Sequence, residues 1–560
     1  MVSGAKIRDP FVAAALVPEK ALFHQTGSRL QRGGKITPQL GKIKQAFFSY
    51  LIIITAFVSI SPAEFPINTH TTDSQTDPAI AMDDDGNIVA VWSSYRQDGD
   101  SGGIFGQRFD PNCSPISSEF QINTETTGNQ TNPAVAMNAA GDFIVVWHGP
   151  AATEEDREDV YAQRFDPNAQ PIGTKFCVNS YTYSRQQNPK VSMNNSGAFI
   201  VVWESDLSLA EPSAWRIRGQ LYDANGSPVG AELQTNYMVQ CRYPDVAMDG
   251  YGDFTIVWTQ EATSPGYNLI MARQYNADGT VKADPFRISV FNFSSITHPS
   301  IAMDGSGHFV VAWDGNPGSD DQDNILARRY KFDATPITDA FMVNTTTAGT
   351  QEHPDAAMDS QRRFIIVWNS EPDPDSNVRD IVGQRYDESA NPLGDEFQIN
   401  TYEFDDQKYP AVAMKESGEF IAIWQSYEQD GSGWGIFGDT GPKICCADFT
   451  GDGFVSFSDF CVLAEEWLKK DNPLKSDLID DNKINQRDLA ALCRQWLMPC
   501  YYCSRVDINN DSRIDFKDYS LLSADWLKQG PGLDGDITGN GTVDMKNLKA
   551  LLLHWTKSCQ

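Results

Sequence analysis

The sequence predicts an all-β seven-bladed β-propeller followed by a small all-α region. Two internal periods carry that prediction. Between residues 64 and 443 the chain repeats every 55–56 residues, and from 444 onward every 29–30. Such periods mark units that bury their apolar faces against neighbouring copies. A third observation separates the two classes. No apolar run of the long repeat reaches typical helix length, whereas each short repeat carries a helical apolar stripe.

The chain opens with a leader, residues 1–63. Lys42 and Lys44 precede about fifteen largely apolar residues and then Ser61-Pro62-Ala63, the pattern of a signal peptide cleaved after Ala63. A membrane span needs about 20 apolar residues, so no span is expected after cleavage. Residues 1–40, with six Lys or Arg, read as an over-extended start. Removing 1–63 takes away eight basic and two acidic residues and moves the net charge from −31 to −37. That charge disfavours nucleic acid and acidic membrane surfaces as partners. It suits a secreted or cell-surface protein in a calcium-rich exterior.

The propeller repeat, 64–443, keeps three marks in step. Met recurs at Met82, Met137, Met193, Met248, Met303, Met358 and Met414. A Trp follows ten residues later, from Trp92 to Trp424, and a Pro precedes each Met by four, from Pro78 to Pro410. Each copy holds four short runs rich in Val, Ile, Phe and Trp, separated by turn residues such as "NAAGD" (138–142) and "DPNAQPIG" (166–173). Four strands repeated seven times describe propeller blades. "PAVAM" (133–137) carries small Ala suited to a crowded axis. "FIVVW" (143–147) is apolar on both faces, as a strand between blades must be. "GQRF" (106–109) follows, and "FQINT" (120–124) alternates like a half-exposed edge. The first such edge strand, "FPINT" (65–69), precedes the first blade, and the last copy ends after "GIFG" (435–438). Residues 65–69 are therefore expected to close the ring as the missing strand of the seventh blade. Met and Trp at fixed spacing read as core packing, not as a cofactor site.

The short repeats divide into two modules, 444–499 and 500–560. Four twelve-residue segments, beginning at Asp448, Asp477, Asp507 and Asp536, present oxygen side chains at positions 1, 3, 5, 9 and 12, the arrangement that surrounds Ca2+. Loop 1 offers Asp448, Thr450, Asp452, Ser456 and Asp459. Loop 2 offers Asp477, Asp481, Asn485 and Asp488, with Ile479 at the third position donating nothing. Loop 3 offers Asp507, Asn509, Asp511, Asp515 and Asp518. Loop 4 offers Asp536, Thr538, Asn540, Asp544 and Asn547. Behind loop 1, Phe460, Leu463, Ala464, Trp467 and Leu468 fall on one helical face.

These loop-plus-helix units resemble type I dockerin repeats. The resemblance implies Ca2+ as cofactor, a cohesin-like or other cell-surface protein as partner, and attachment of secreted polysaccharide-directed proteins to a scaffold. Positions 10 and 11, where dockerins meet cohesins, read Phe457-Ser458, Gln486-Arg487, Phe516-Lys517 and Met545-Lys546 and repeat no matched Ser/Thr pair. The propeller repeat resembles secreted bacterial β-propeller repeats of unknown activity. Seven of ten Cys lie beyond residue 444, which in an exported chain favours disulfides. Cys500-x-x-Cys503 has no His in the linker beside it and does not read as a zinc site.

For a ligand site the sequence points to the long, dissimilar connections between the second and third strands, such as 93–103, 148–159, 204–216 and 314–324. They are acidic, and the aromatic residues Trp215 and Trp434 are the candidate ligand-binding groups. No catalytic residue is assigned. The seven His look scattered, with His148 alone in such a loop. No Ser-His-Asp spacing, phosphate loop or sialidase Asp-box stands out. The expected function is an exported calcium-binding scaffold or binding protein whose propeller recognises a ligand such as a glycan. The alternative is a polysaccharide-degrading hydrolase or lyase docked through the C-terminal modules.

Overall fold

The computed structural model describes residues 64–441, apart from 152–156, 207–214, 236–239, 263–266, 291–295, 317–321, 372–377, 403 and 416–417. The leader and both C-terminal modules lie outside the described residues. The described chain forms seven four-stranded antiparallel sheets. First strands run Gln75–Met82, Thr131–Met137, Gln186–Met193, Cys241–Met248, Thr297–Met303, Gln351–Met358 and Gln407–Met414. Each packs against the first strands of both neighbouring blades, Gln407–Met414 against Gln75–Met82 included, so these strands encircle the axis. Small side chains make that crowding possible: Ala81, Ala136, Ser192, Ala247, Ala302, Ala357 and Ala413 occupy one equivalent position.

Second strands, such as Phe143–Pro150 and Phe199–Asp206, are buried along nearly their whole length because a blade lies on either side. All seven repeat Trp side chains are buried here. Where the indole N–H has lost water it needs an acceptor. Trp203, Trp368 and Trp424 donate to Gln186, Gln351 and Gln407 at 2.9 Å. The apolar clusters straddle blade boundaries. Ile67, Trp92, Phe109, Ile423 and Ile436 join blade 7 to blade 1.

In six blades the first-to-second turn opens with an Asp or Asn whose side chain accepts the N–H four residues on. Asp83 Oδ1 accepts from the Asn87 N–H at 2.8 Å, and Gly86 turns the chain at φ 89°. Asp249 and Gly252 (φ 94°) repeat this in blade 4.

Fourth strands are shorter than the alternation of "FQINT" predicts. Blade 1 pairs only Phe120–Gln121, although blades 2 and 3 pair Pro171–Cys177 and Pro228–Gln234. The reason is the Asn of the motif. Its side chain replaces the backbone as acceptor for the third strand: Asn123, Asn179, Asn344 and Asn400 take the N–H of Ile104, Val160, Ile325 and Ile381 at 2.7–2.8 Å. Ring closure follows the predicted phase. Phe65–Pro66 pairs with Trp434–Asp439, Phe65 opposite Gly438, and Asn68 accepts from Ile436 at 2.6 Å. Glu64 then accepts from the Thr401 N–H of blade 6 at 2.7 Å, as Glu119 of blade 1 does from Thr69 at 2.8 Å.

Candidate functional site

Every first strand breaks register with its second strand at the repeat Pro, between Thr76 and Ala79 in blade 1 and at the equivalent place in the other six. Pro donates no hydrogen bond, so the ladder bulges there. The preceding residue takes a left-handed conformation in all seven blades. Asp77, Asn132, Asn188, Tyr243, His298, His353 and Tyr409 have φ between 41° and 54°. Asp and Asn tolerate that region; Tyr and His adopt it at a cost. These seven residues stand near the start of the axial strands. They ring the channel mouth on the face that also carries the long second-to-third connections.

The mouth has two unlike halves. Across blades 4–7 the rings form one continuous arc: Tyr243 to His298 at 4.4 Å between centroids, His298 to His353 at 4.1 Å, and His353 to Tyr409 at 4.6 Å. Across blades 1–3 the groups are carboxyl and amide, with Asn132 donating to Asn188 at 2.8 Å.

A supporting tier comes from the residue after each Trp. In five of the seven blades it accepts the N–H of the left-handed residue in the next blade. His148 Nδ1 serves Asn188 at 3.3 Å, Glu204 serves Tyr243 at 2.7 Å, Asp314 serves His353 at 3.2 Å, Asn369 serves Tyr409 at 2.9 Å and Gln425 serves Asp77 at 3.2 Å. Burial pushes the His148 imidazole down to about 4, so it is neutral and able to accept. Burial raises Glu204, against the opposing charge of Arg242, whose Nε lies 2.8 Å away. For Asp314 burial acts upward, but hydrogen bonds from His298 (2.8 Å) and Thr297 (2.7 Å) prevail and hold the carboxyl below its ordinary range.

Below the mouth, the residue after each Pro lines the channel: Ala79, Ala134, Lys190, Asp245, Ser300, Asp355 and Ala411. Asp245 accepts from the Ile301 N–H and Asp355 from the Val412 N–H, both at 2.8 Å. Beside the mouth, Gln240, Arg242, Tyr243, Glu261 and Tyr267 help line a pocket of ≈ 220 Å³. Arg379 meets Glu371 at 3.2 Å and Glu352 at 3.8 Å, and Lys408 meets Asp406 at 2.6 Å. A larger cavity, ≈ 450 Å³, opens on the short-turn face between blades 7 and 1, lined by Met82, Pro111, Lys415 and Thr440 among others.

The predicted ligand residues are on the long-connection face but in non-adjacent blades. Trp215 begins the third strand of blade 3, opposite Asp206, with the Arg242 guanidinium 4.2 Å over its ring. Trp434 begins that of blade 7, edge-on to Tyr427 at 5.1 Å. Both are half-buried, and they do not form one platform. The calcium-loop residues from Asp448 to Asn547 lie outside the described residues. His148 proves to be a buried strand residue rather than a loop residue. His298 and His353, which look scattered in sequence, meet at the axis. The signal that finds them is the variable residue before an invariant Pro.

No protein-family model and no curated protein matches the sequence. Solved structures resemble the fold. The polysaccharide lyase Uly1 aligns at TM-score 0.41 and 9% identity over 68% of this chain and 90% of that one. An α-L-arabinanase from Penicillium chrysogenum, complexed with arabinobiose, aligns at 0.38 and 9% over 68% and 100%. The β-propeller domain of the Trilobed protease from Pyrococcus furiosus aligns at 0.40 and 9% over 67% and 95%. These likenesses concern the propeller architecture alone.

Proposed function

We propose that the propeller is an exported polysaccharide-binding module whose site is the mouth of the axial channel. The carrying observation is the arc Tyr243–His298–His353–Tyr409, four rings in mutual contact at an open channel mouth. Tyr243 is 37% and Tyr409 42% exposed, although aromatic rings gain from burial. Sugar rings stack on such faces with their C–H surface, while their hydroxyls seek charged and amide partners. Asn132, Asn188, Arg242 and Arg379 supply those around the same mouth. Trp215 and Trp434 act as outlying contacts for a longer chain. The calcium loops of 444–560 attach the propeller to a cell-surface partner, cohesin-like or otherwise.

A second reading, a polysaccharide hydrolase or lyase, is favoured by the His298–Asp314 pair at 2.8 Å. A carboxylate that orients an imidazole is an arrangement for proton transfer.

A glycan array on the full chain, with reducing-sugar and unsaturated-product assays on every retained polysaccharide, separates the readings. Retention without turnover supports the binding module; turnover supports the enzyme. Tyr243→Ala and Tyr409→Ala should each weaken retention by about 0.5–1.5 kcal/mol. That is roughly two- to tenfold in Kd. Unchanged retention in the double variant would remove the mouth as the site.

A further inference from the structure

One part of the mouth differs in kind from the rest. His298 and His353 stand at equivalent positions of adjacent blades, and Asp314 lies between them. Its Oδ2 is 2.8 Å from His298 Nδ1 and accepts the His353 N–H at 3.2 Å. A ligating atom from each of the three lies within 4.8 Å of the other two. Glu352 adds a second carboxylate, with Oε2 3.9 Å from His353 Nδ1.

The donors are held from behind. Thr297 donates to Asp314 Oδ1 through its hydroxyl at 2.7 Å and its N–H at 3.1 Å. Built metal sites orient their ligands through such outer contacts. The other five blades do not reproduce the cluster, because blades 1–3 place Asp77, Asn132 and Asn188 at the ring position and blades 4 and 7 place Tyr243 and Tyr409.

We propose that His298, Asp314 and His353 bind a divalent transition-metal ion at the channel mouth, with Glu352 within reach as a fourth ligand. Mixed imidazole and carboxylate donors select borderline ions of the zinc and cobalt class rather than Ca2+, which takes oxygen ligands only. Bonds of about 2.0–2.2 Å separate tetrahedral ligand atoms by about 3.3–3.6 Å. The His298–Asp314 pair, 2.8 Å apart, therefore opens slightly to admit an ion, and His353 closes on it. The ion takes up the Asp314 oxygen that now faces His298. It presents an open coordination position to the channel mouth, where an oxygen ligand of the bound molecule can reach it. This site does not depend on the identity of any polysaccharide.

The test is titration of Co2+ into the calcium-saturated full chain, compared with the double variant His298→Asn/His353→Asn. Asn is native in this conformation at positions 132 and 188, so the backbone should tolerate it. The parent should bind one Co2+ more than the double variant. The difference spectrum should show weak visible d–d bands without the near-ultraviolet thiolate charge transfer that a cysteine site gives. Asp314→Asn should weaken the same site at least about tenfold. Should the double variant melt differently from the parent, His353→Asn alone must show the same loss. Equal numbers of bound ions in parent and variants, or thiolate character in the difference spectrum, overturns the proposal.

Discussion

Asp245 shows how the channel sets the behaviour of a single side chain. It is half-buried in the channel wall. Burial, opposed by the charge of Lys190, pushes its carboxyl from 3.8 up to about 6. A carboxyl raised on folding favours the folded state while protonated. Its contribution is complete below the ordinary value and is lost as the pH rises through about 6. The groups facing it are Lys190, Asp355 and the Ile301 N–H. Asp245→Asn keeps an acceptor for that N–H and removes the charge. It should stabilise the propeller by about 1–2 kcal/mol above pH ~7, a gain moderated by screening from channel water. The gain should vanish below pH ~4. Thermal melts of parent and variant at both pH values check this; a gain that persists in acid would contradict it.

At the scale of the element, the fourth strand matters more than its length suggests. In blade 7 it consists of two paired residues, Phe65 and Pro66, yet it brings three further ties. Asn68 accepts from Ile436, the Ile67 N–H bonds to the Ile436 carbonyl at 2.8 Å, and Glu64 holds Thr401. Removing residues 64–69 exposes the edge of blade 7 and uncovers Trp92 and Ile436, which Ile67 helps to bury. The whole ring should melt earlier, in one transition. Asn68→Ala should cost about 1–3 kcal/mol, the price of a buried N–H left without its acceptor. A truncated chain that melts with the parent would show that closure does not depend on this strand.

At the scale of the whole molecule, the propeller and the C-terminal modules should answer to calcium differently. Asp507, Asp511, Asp515 and Asp518 crowd four carboxylates into one short loop. If these residues bind Ca2+ as proposed, their mutual repulsion opposes ordering of the segment until the cation reverses the sign, and binding is coupled to folding. Scanning calorimetry of the full chain should therefore show a calcium-sensitive transition for 444–560 and one nearly insensitive to calcium for the propeller. Asp507→Ala should remove more of the calcium effect than Asp477→Ala, because Ile479 already leaves loop 2 one ligand short. Equal effects would overturn that ranking.

The sequence by itself determined the blade count, the strand phase and the closing strand. These rest on local chemistry repeated around the ring: an apolar run in all seven blades that needs cover on both faces, an Asp or Asn opening the first turn in six, and an Asn that caps the neighbouring strand in five. Small residues at the axis were legible for the same reason, since crowding acts identically in every copy. Only the tertiary structure decided where the candidate site lies. Tyr243, His298, His353 and Tyr409 are 55 or 56 residues apart, and nothing local joins them until ring closure brings equivalent positions to one mouth. The same closure keeps Trp215 and Trp434 apart, because they belong to non-adjacent blades. A repeat announces its architecture through what it keeps constant. Its site arises from the few positions that vary, and their meeting depends on the closed ring.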